Sequence, residues 1–139
     1  MKRFCFRSMC LATTSLMCFG LNAHATTITL GSVKDSTLIS DDSSQLALGA
    51  AYNIYAGRVG DQGGGFLRRG LMQFDFQSIP AGSVITSVQL KLYMSQSQGG
   101  TYAVSLNRST LSWGEGASFG FGGGGAPAQP GDATWINRF

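Results

Sequence analysis

Between Gly70 and Arg108 the apolar and polar residues alternate with a period of two. In GLMQFDF, Gly70 to Phe76, an extended chain puts Met72, Phe74 and Phe76 on one side and Leu71, Gln73 and Asp75 on the other. In SVQLKLYM, Ser87 to Met94, Val88, Leu90, Leu92 and Met94 share a side, with Gln89, Lys91 and Tyr93 opposite. Thr101 to Arg108 repeats the pattern, with Tyr102, Val104 and Leu106 inward and Ala103, Ser105 and Asn107 outward. Side chains alternate across a strand, so this spacing predicts antiparallel strands buried on one face. Further strands are expected at Thr27–Leu30, Thr37–Ser40 and Asn53–Arg58. No window holds a helical period over a useful length.

The punctuation agrees. Ile79-Pro80-Ala81-Gly82 places Pro at i+1 and Gly at i+3, which suits a type I turn. Gln98-Gly99-Gly100 joins the next two strands, where glycine supplies positive φ. Strands at regular intervals with Gly-rich connections predict an all-β fold, an antiparallel β-sandwich or jelly roll. Two stretches are glycine-dense, 60–65 and 114–131. The second is expected to be a surface loop, because its composition offers little apolar area to bury. Phe119 and Phe121, each flanked by glycine, either tuck onto the sheet or stand as exposed contacts.

The N-terminus changes the charge balance. Lys2, Arg3 and Arg7 precede a short apolar run, Leu11 to Leu21, and Ala23-His24-Ala25 supplies the small residues a signal peptidase needs. Residues 1–25 are therefore expected to be a signal peptide, leaving one domain over 26–139, secreted or periplasmic and without a membrane span after cleavage. Cys18 follows Ser15-Leu16-Met17, which is not the spacing of a lipoprotein signal. The three cysteines (Cys5, Cys10, Cys18) and the single histidine, His24, all fall in this segment. The expected mature chain keeps seven cations (Lys34, Arg58, Arg68, Arg69, Lys91, Arg108, Arg138) and seven acids (Asp35, Asp41, Asp42, Asp61, Asp75, Glu115, Asp132), so the net +3 belongs to the leader. A neutral chain with no basic cluster argues against nucleic acid as a partner.

The same accounting restricts catalysis. Without His or Cys the mature chain cannot build a Ser-His-Asp triad, a Cys-His pair or a common zinc site. Paired carboxylates could hydrolyse glycosides, but the acids are scattered, and no catalytic residues are assigned. Asp41, Asp42 and Asp61 could offer oxygens to a structural Ca²⁺, or could simply be turn aspartates; no other cofactor is expected. Flat aromatic rings can stack on the C–H faces of sugars, and Trp113, Trp135, Tyr52, Tyr55 and Tyr93 are the candidates. Alternatively, both tryptophans pack the interior. Arg58, Arg68, Arg69 and Lys91 could bind acidic sugars, or guard the edge of a sheet.

A succession of short pieces carries a family likeness. Lys34-Asp35-Ser36-Thr37-Leu38, Tyr55-Ala56-Gly57-Arg58, Arg68-Arg69-Gly70-Leu71, Phe74-Asp75, Ile79-Pro80-Ala81-Gly82 and Ile85-Thr86-Ser87-Val88 resemble, in order, the DNRLRE domains. Ser112-Trp113-Gly114-Glu115-Gly116 and Gly131-Asp132-Ala133-Thr134-Trp135 continue the likeness to 139. The name-giving motif falls on Asp35 to Ser40, where only the Asp and the Leu agree. These domains are secreted bacterial β-sandwiches related to carbohydrate-binding modules. The resemblance implies a non-catalytic extracellular module whose partner is a polysaccharide or cell-surface glycan. A structural or adhesive unit of the cell surface, and a fragment of a polysaccharide-degrading enzyme, are the alternatives. Members of the family continue beyond the position of Phe139, so the resemblance also implies a sandwich incomplete at its C-terminus, with an open edge prone to aggregation.

Overall fold

The computed structural model describes residues 25–43, 45–58, 65–97 and 100–139. Residues 1–24 of the expected signal peptide, most of the first glycine-dense stretch, Asp61 and the Gln98-Gly99 turn lie outside the described residues. Among the described residues five strands pair antiparallel: β1 (Ser32–Ile39), β2 (Leu46–Ala47), β3 (Gly57–Arg58), β4 (Leu67–Phe74) and β5 (Ala126–Pro127). They form a three-stranded sheet in the order β1-β4-β3 and a two-stranded sheet of β2 with β5. The fold is all-β. The strand expected at Thr37–Ser40 begins earlier, at Ser32, because Val33, Thr37 and Ile39 favour extended backbone. Val33 is the extra residue of a bulge between Ser32↔Phe74 and Lys34↔Gln73.

Register sets which side chains share a face. Ser36 lies opposite Leu71 and Leu38 opposite Arg69, while Thr37 faces Gly70 and Ile39 faces Arg68. The Leu38 face meets the tryptophans: Lys34 sits 4.4 Å from the Trp113 ring centre and Arg69 4.4 Å from that of Trp135. On the Thr37 face, the Tyr55 N–H donates to Thr37 Oγ1 at 3.0 Å. There, too, a Cβ on Gly70 would meet Ile54 at 3.3 Å. Both faces of the β1–β4 pair are therefore covered, where the alternation predicted one. The buried apolar side chains are few (Ile39, Ala47, Leu48, Trp113 and Ala133), and Ser36, Thr37, Asp41, Arg68, Ser118, Asp132 and Thr134 are buried with them.

The glycine-rich segment 114–131 runs along the surface with most of its residues exposed, as its composition predicts, but it is anchored rather than free. Gly114, Ser118 and Gly123 are buried, and the segment lies between β1, β2 and the C-terminal residues. Gly114 N–H donates to the Arg138 carbonyl at 2.7 Å, and its own carbonyl accepts from Ala133 at 3.0 Å. A Cβ at Gly114 would stand 1.9 Å from the Gly131 oxygen. Glycine is there so that two backbones can touch, and burial is achieved through main-chain hydrogen bonds rather than apolar side chains.

The strands expected at Ser87–Met94 and Thr101–Arg108 do not join a ladder. Among the described residues, no backbone–backbone hydrogen bond involves residues 84–113. Leu90 is 39% exposed, Val88 86% and Val104 78%; Leu92, Met94, Tyr102 and Leu106 are exposed as well. The physical reason is a missing neighbour. Alternation makes a segment competent to pair, but no described strand lies beside it to accept the pairing. Likewise Thr27–Leu30 is unpaired, and of Asn53–Arg58 only Gly57–Arg58 forms strand. The turn at Pro80 is shifted by one residue: the Ser83 N–H donates to the Pro80 carbonyl at 3.1 Å, with Gly82 at φ +82°. A glycine with positive φ at i+2 belongs to type II, not type I.

Two substitutions test this packing by urea denaturation. Gly114→Ala is expected to destabilise by about 2–4 kcal/mol, because its methyl collides with backbone, whereas Gly31→Ala, with open space around it, stays within about 0.5 kcal/mol. Ser36 Oγ is buried without a hydrogen-bond partner. Ser36→Ala removes that unpaired hydroxyl and is expected to leave the midpoint unchanged or to raise it by up to about 1 kcal/mol of stability.

Candidate functional site

The glycine-rich segment carries the most exposed aromatic cluster. Phe119 packs edge-to-face on Tyr52 with ring centres 5.6 Å apart, and Phe121 on Phe119 at 5.0 Å. Both geometries are favourable for aromatic pairs, in which a positive ring edge meets a negative face. Tyr52 is 91% exposed and Phe121 84%, so most of the cluster's ring area meets solvent. The backbone beneath is fixed. Ala50 N–H donates to the Ser118 carbonyl at 2.9 Å, and Gly49 N–H to the Ser118 hydroxyl at 3.2 Å. A turn closes from Gly124 N–H to the Phe121 carbonyl at 3.2 Å.

Arg68 clamps that turn. Its Nε and Nη2 both donate to the Gly123 carbonyl, at 3.0 and 2.9 Å, and its Nη1 donates to the Phe66 carbonyl at 2.6 Å. With 3% of its surface exposed, Arg68 is neither a surface sugar ligand nor a guard of the sheet edge. Burial pushes its pKa down while the Asp41 carboxylate pushes it back up, with a net lowering that leaves a guanidinium still charged. Tyr55 supports the same turn: a Cβ on Gly123 would lie 2.9 Å from its ring. Two residues read from sequence as possible ligands thus hold the aromatic cluster in place.

The other predicted residues divide. Trp113 and Trp135 come together in a cleft of about 200 Å³, floored by Leu38 and Leu71 and closed by Ala133 and Arg138. Trp113 is 7% exposed. One face of each indole carries a cation, Lys34 or Arg69, and Lys34 also donates to the Trp113 carbonyl. Packing is the role this geometry assigns to Trp113. Trp135 is half-buried at the cleft wall. Arg58 is exposed and donates to the Gly65 carbonyl. Lys91 and Tyr93 are exposed on the unpaired segment and line neither this cleft nor the larger one described below.

The carboxylates are occupied structurally. Glu115 Oε1 accepts from the Asp35 N–H at 2.8 Å. Asp132, 2% exposed, accepts from Gln129 N–H at 2.6 Å and Ser118 N–H at 3.3 Å. Asp41 accepts from the Ser43 hydroxyl and from Gln45 and Leu46 N–H at 3.2 and 3.4 Å, so its oxygens serve its own turn. Asp42 is exposed beside it, and among the described residues no three acidic, His or Cys side chains gather as metal ligands would. No helix among the described residues is long and apolar enough to cross a membrane.

Phe119 and Phe121 complete a cluster of which sequence reasoning named only Tyr52 as a sugar contact. The available signal was large aromatics in a glycine setting, where side chains are otherwise absent. Comparison with protein-family models, with curated proteins and with solved structures yields no match for this chain.

Burial raises the Asp41 pKa, but the hydrogen bonds from Ser43, Gln45 and Leu46 outweigh it, and the carboxyl titrates below its ordinary value. A depressed folded-state pKa contributes stability that is complete above the unfolded value, about 3.9, and lost as pH falls through the lower folded one. Denaturation midpoints measured from neutral to strongly acidic pH should fall in that window. Asp41→Asn should lower the midpoint at neutral pH and flatten part of the acid limb.

Proposed function

We propose that this chain is a non-catalytic, secreted module that binds polysaccharide outside the cell, the role implied by its resemblance to the DNRLRE domains. The observation that carries the proposal is the Tyr52–Phe119–Phe121 cluster: large rings displayed to solvent on a backbone that Arg68 and Tyr55 hold still. Exposed aromatic area costs a protein solubility and is retained where it meets a ligand. The axial C–H groups of a pyranose present an apolar face to such rings. A series of rings suits a chain of sugars better than one monosaccharide. Binding by a preordered cluster avoids the entropy of arranging the side chains on contact. The engaged carboxylates, Glu115 and Asp132, support binding rather than turnover, since each already accepts backbone N–H groups.

Affinity electrophoresis of the protein through gels containing alginate, pectin or neutral glycans tests this reading. Retardation by at least one polymer is expected. Tyr52→Ala and Phe121→Ala should each weaken it by about tenfold, equivalent to about 1.4 kcal/mol, and Tyr93→Ala should leave it unchanged. Unaltered mobility in every gel sinks the proposal.

A further inference from the structure

Residues 84–113 pose a separate question from glycan binding. The alternating segments 87–94 and 101–108 present apolar side chains to water, with Val88 and Val104 among the most exposed in the chain. Their backbone groups pair with no other backbone among the described residues. Unpaired strand edges with an apolar face recruit another strand. A cleft of about 500 Å³ lies alongside, between Met72, Phe74 and Phe76 on one side and Leu106 and Leu111 on the other.

We infer that the occupant is a second copy of this chain, joined by antiparallel pairing of residues 86–94 across a two-fold axis at Leu90. The sequence is self-complementary about that residue. In this register Val88 faces Leu92 of the second copy, Thr86 faces Met94, and Lys91 faces Gln89 rather than another lysine. Opposed residues of an antiparallel pair share a face, so the apolar set of one copy continues that of the other. Such an interface is isologous and closes at two subunits.

Sedimentation equilibrium of the protein over a range of concentrations provides the test, with amide exchange read on 86–94. A dimer with protected amides there is expected. Leu90→Lys sets two ammonium groups against each other on the axis and should weaken dimerisation at least tenfold. Gln89→Glu creates a Glu–Lys pair twice over and should tighten it about threefold, with a salt dependence the native dimer lacks. Both positions are exposed in the protomer, so the near-ultraviolet signal of buried Trp113 should be the same throughout and marks any variant that fails to fold. A protein that stays monomeric up to its solubility limit overturns the inference. So does association indifferent to both substitutions, and so does protection of 86–94 in a monomer, which would mean that something other than a second copy covers the segment.

Discussion

The carboxylate of Asp132 is the constraint on which the rest of the structure depends. It is buried, and a buried charge is tolerated only where hydrogen bonds replace water. Here the donors are the backbone N–H groups of Gln129 and Ser118, at opposite ends of the glycine-rich segment. Drawing both ends to one carboxylate folds that segment back on itself. It also places Ser118 to accept from Gly49 and Ala50, so the segment docks beside β2. The fit leaves no space at Gly116, where a Cβ would coincide with the Asp132 oxygen, and none at Gly49, where it would strike the Glu115 carbonyl. Asp132, Gly116 and Gly49 therefore act as one unit, and none tolerates a larger neighbour.

From that anchor the aromatic cluster follows. Once Ser118 is fixed, Phe119 stands beside Tyr52, and the turn at 121–124 comes within reach of Arg68. Arg68 is a costly residue to bury, and its two hydrogen bonds converging on the Gly123 carbonyl, with a third to the Phe66 carbonyl, offset that cost. The consequence is a loop rich in glycine that nonetheless holds three rings at defined angles. Rigidity here comes from polar contacts beneath the loop, and display comes from the glycines between the rings.

The unpaired stretch 84–113 shows the opposite balance. Its alternation is the clearest in the chain, and it would form good strands beside a partner. A strand is not a local object, however: its hydrogen bonds belong to a neighbour, and none of the described strands lies there. Only the end of the stretch touches the body of the protein, where Trp113 is buried and the Trp113 carbonyl accepts from Lys34. The molecule thus joins a core rich in polar contacts to an apolar extension whose backbone pairs with no other described backbone.

How much of this was legible in the residues depends on whether the cause was local. The all-β class was, because period-two alternation and turn residues act over a few positions, and GLMQFDF is indeed within or next to β4. Trp113 and Trp135 could be named as large aromatics, but whether they would be sites or packing required knowing that Lys34 and Arg69 cover them. Arg68, Tyr55 and Asp41 could be named as possible ligands, with a turn role open for Asp41 and a sheet-edge role for Arg68, because their chemistry is visible in the sequence, while their partners, the Gly123 turn and the backbone at 45–46, are not. The anchoring of the glycine-rich stretch was hidden for the same reason. Composition reports the apolar side chains a segment can bury, and says nothing about main-chain groups that find partners far along the chain. Residue pattern alone thus marked the longer segments able to form strands, β1 and β4 among them, but not the two-residue β2 and β5. Only tertiary structure decided which of them found a neighbour, since pairing and polar burial are satisfied between distant residues.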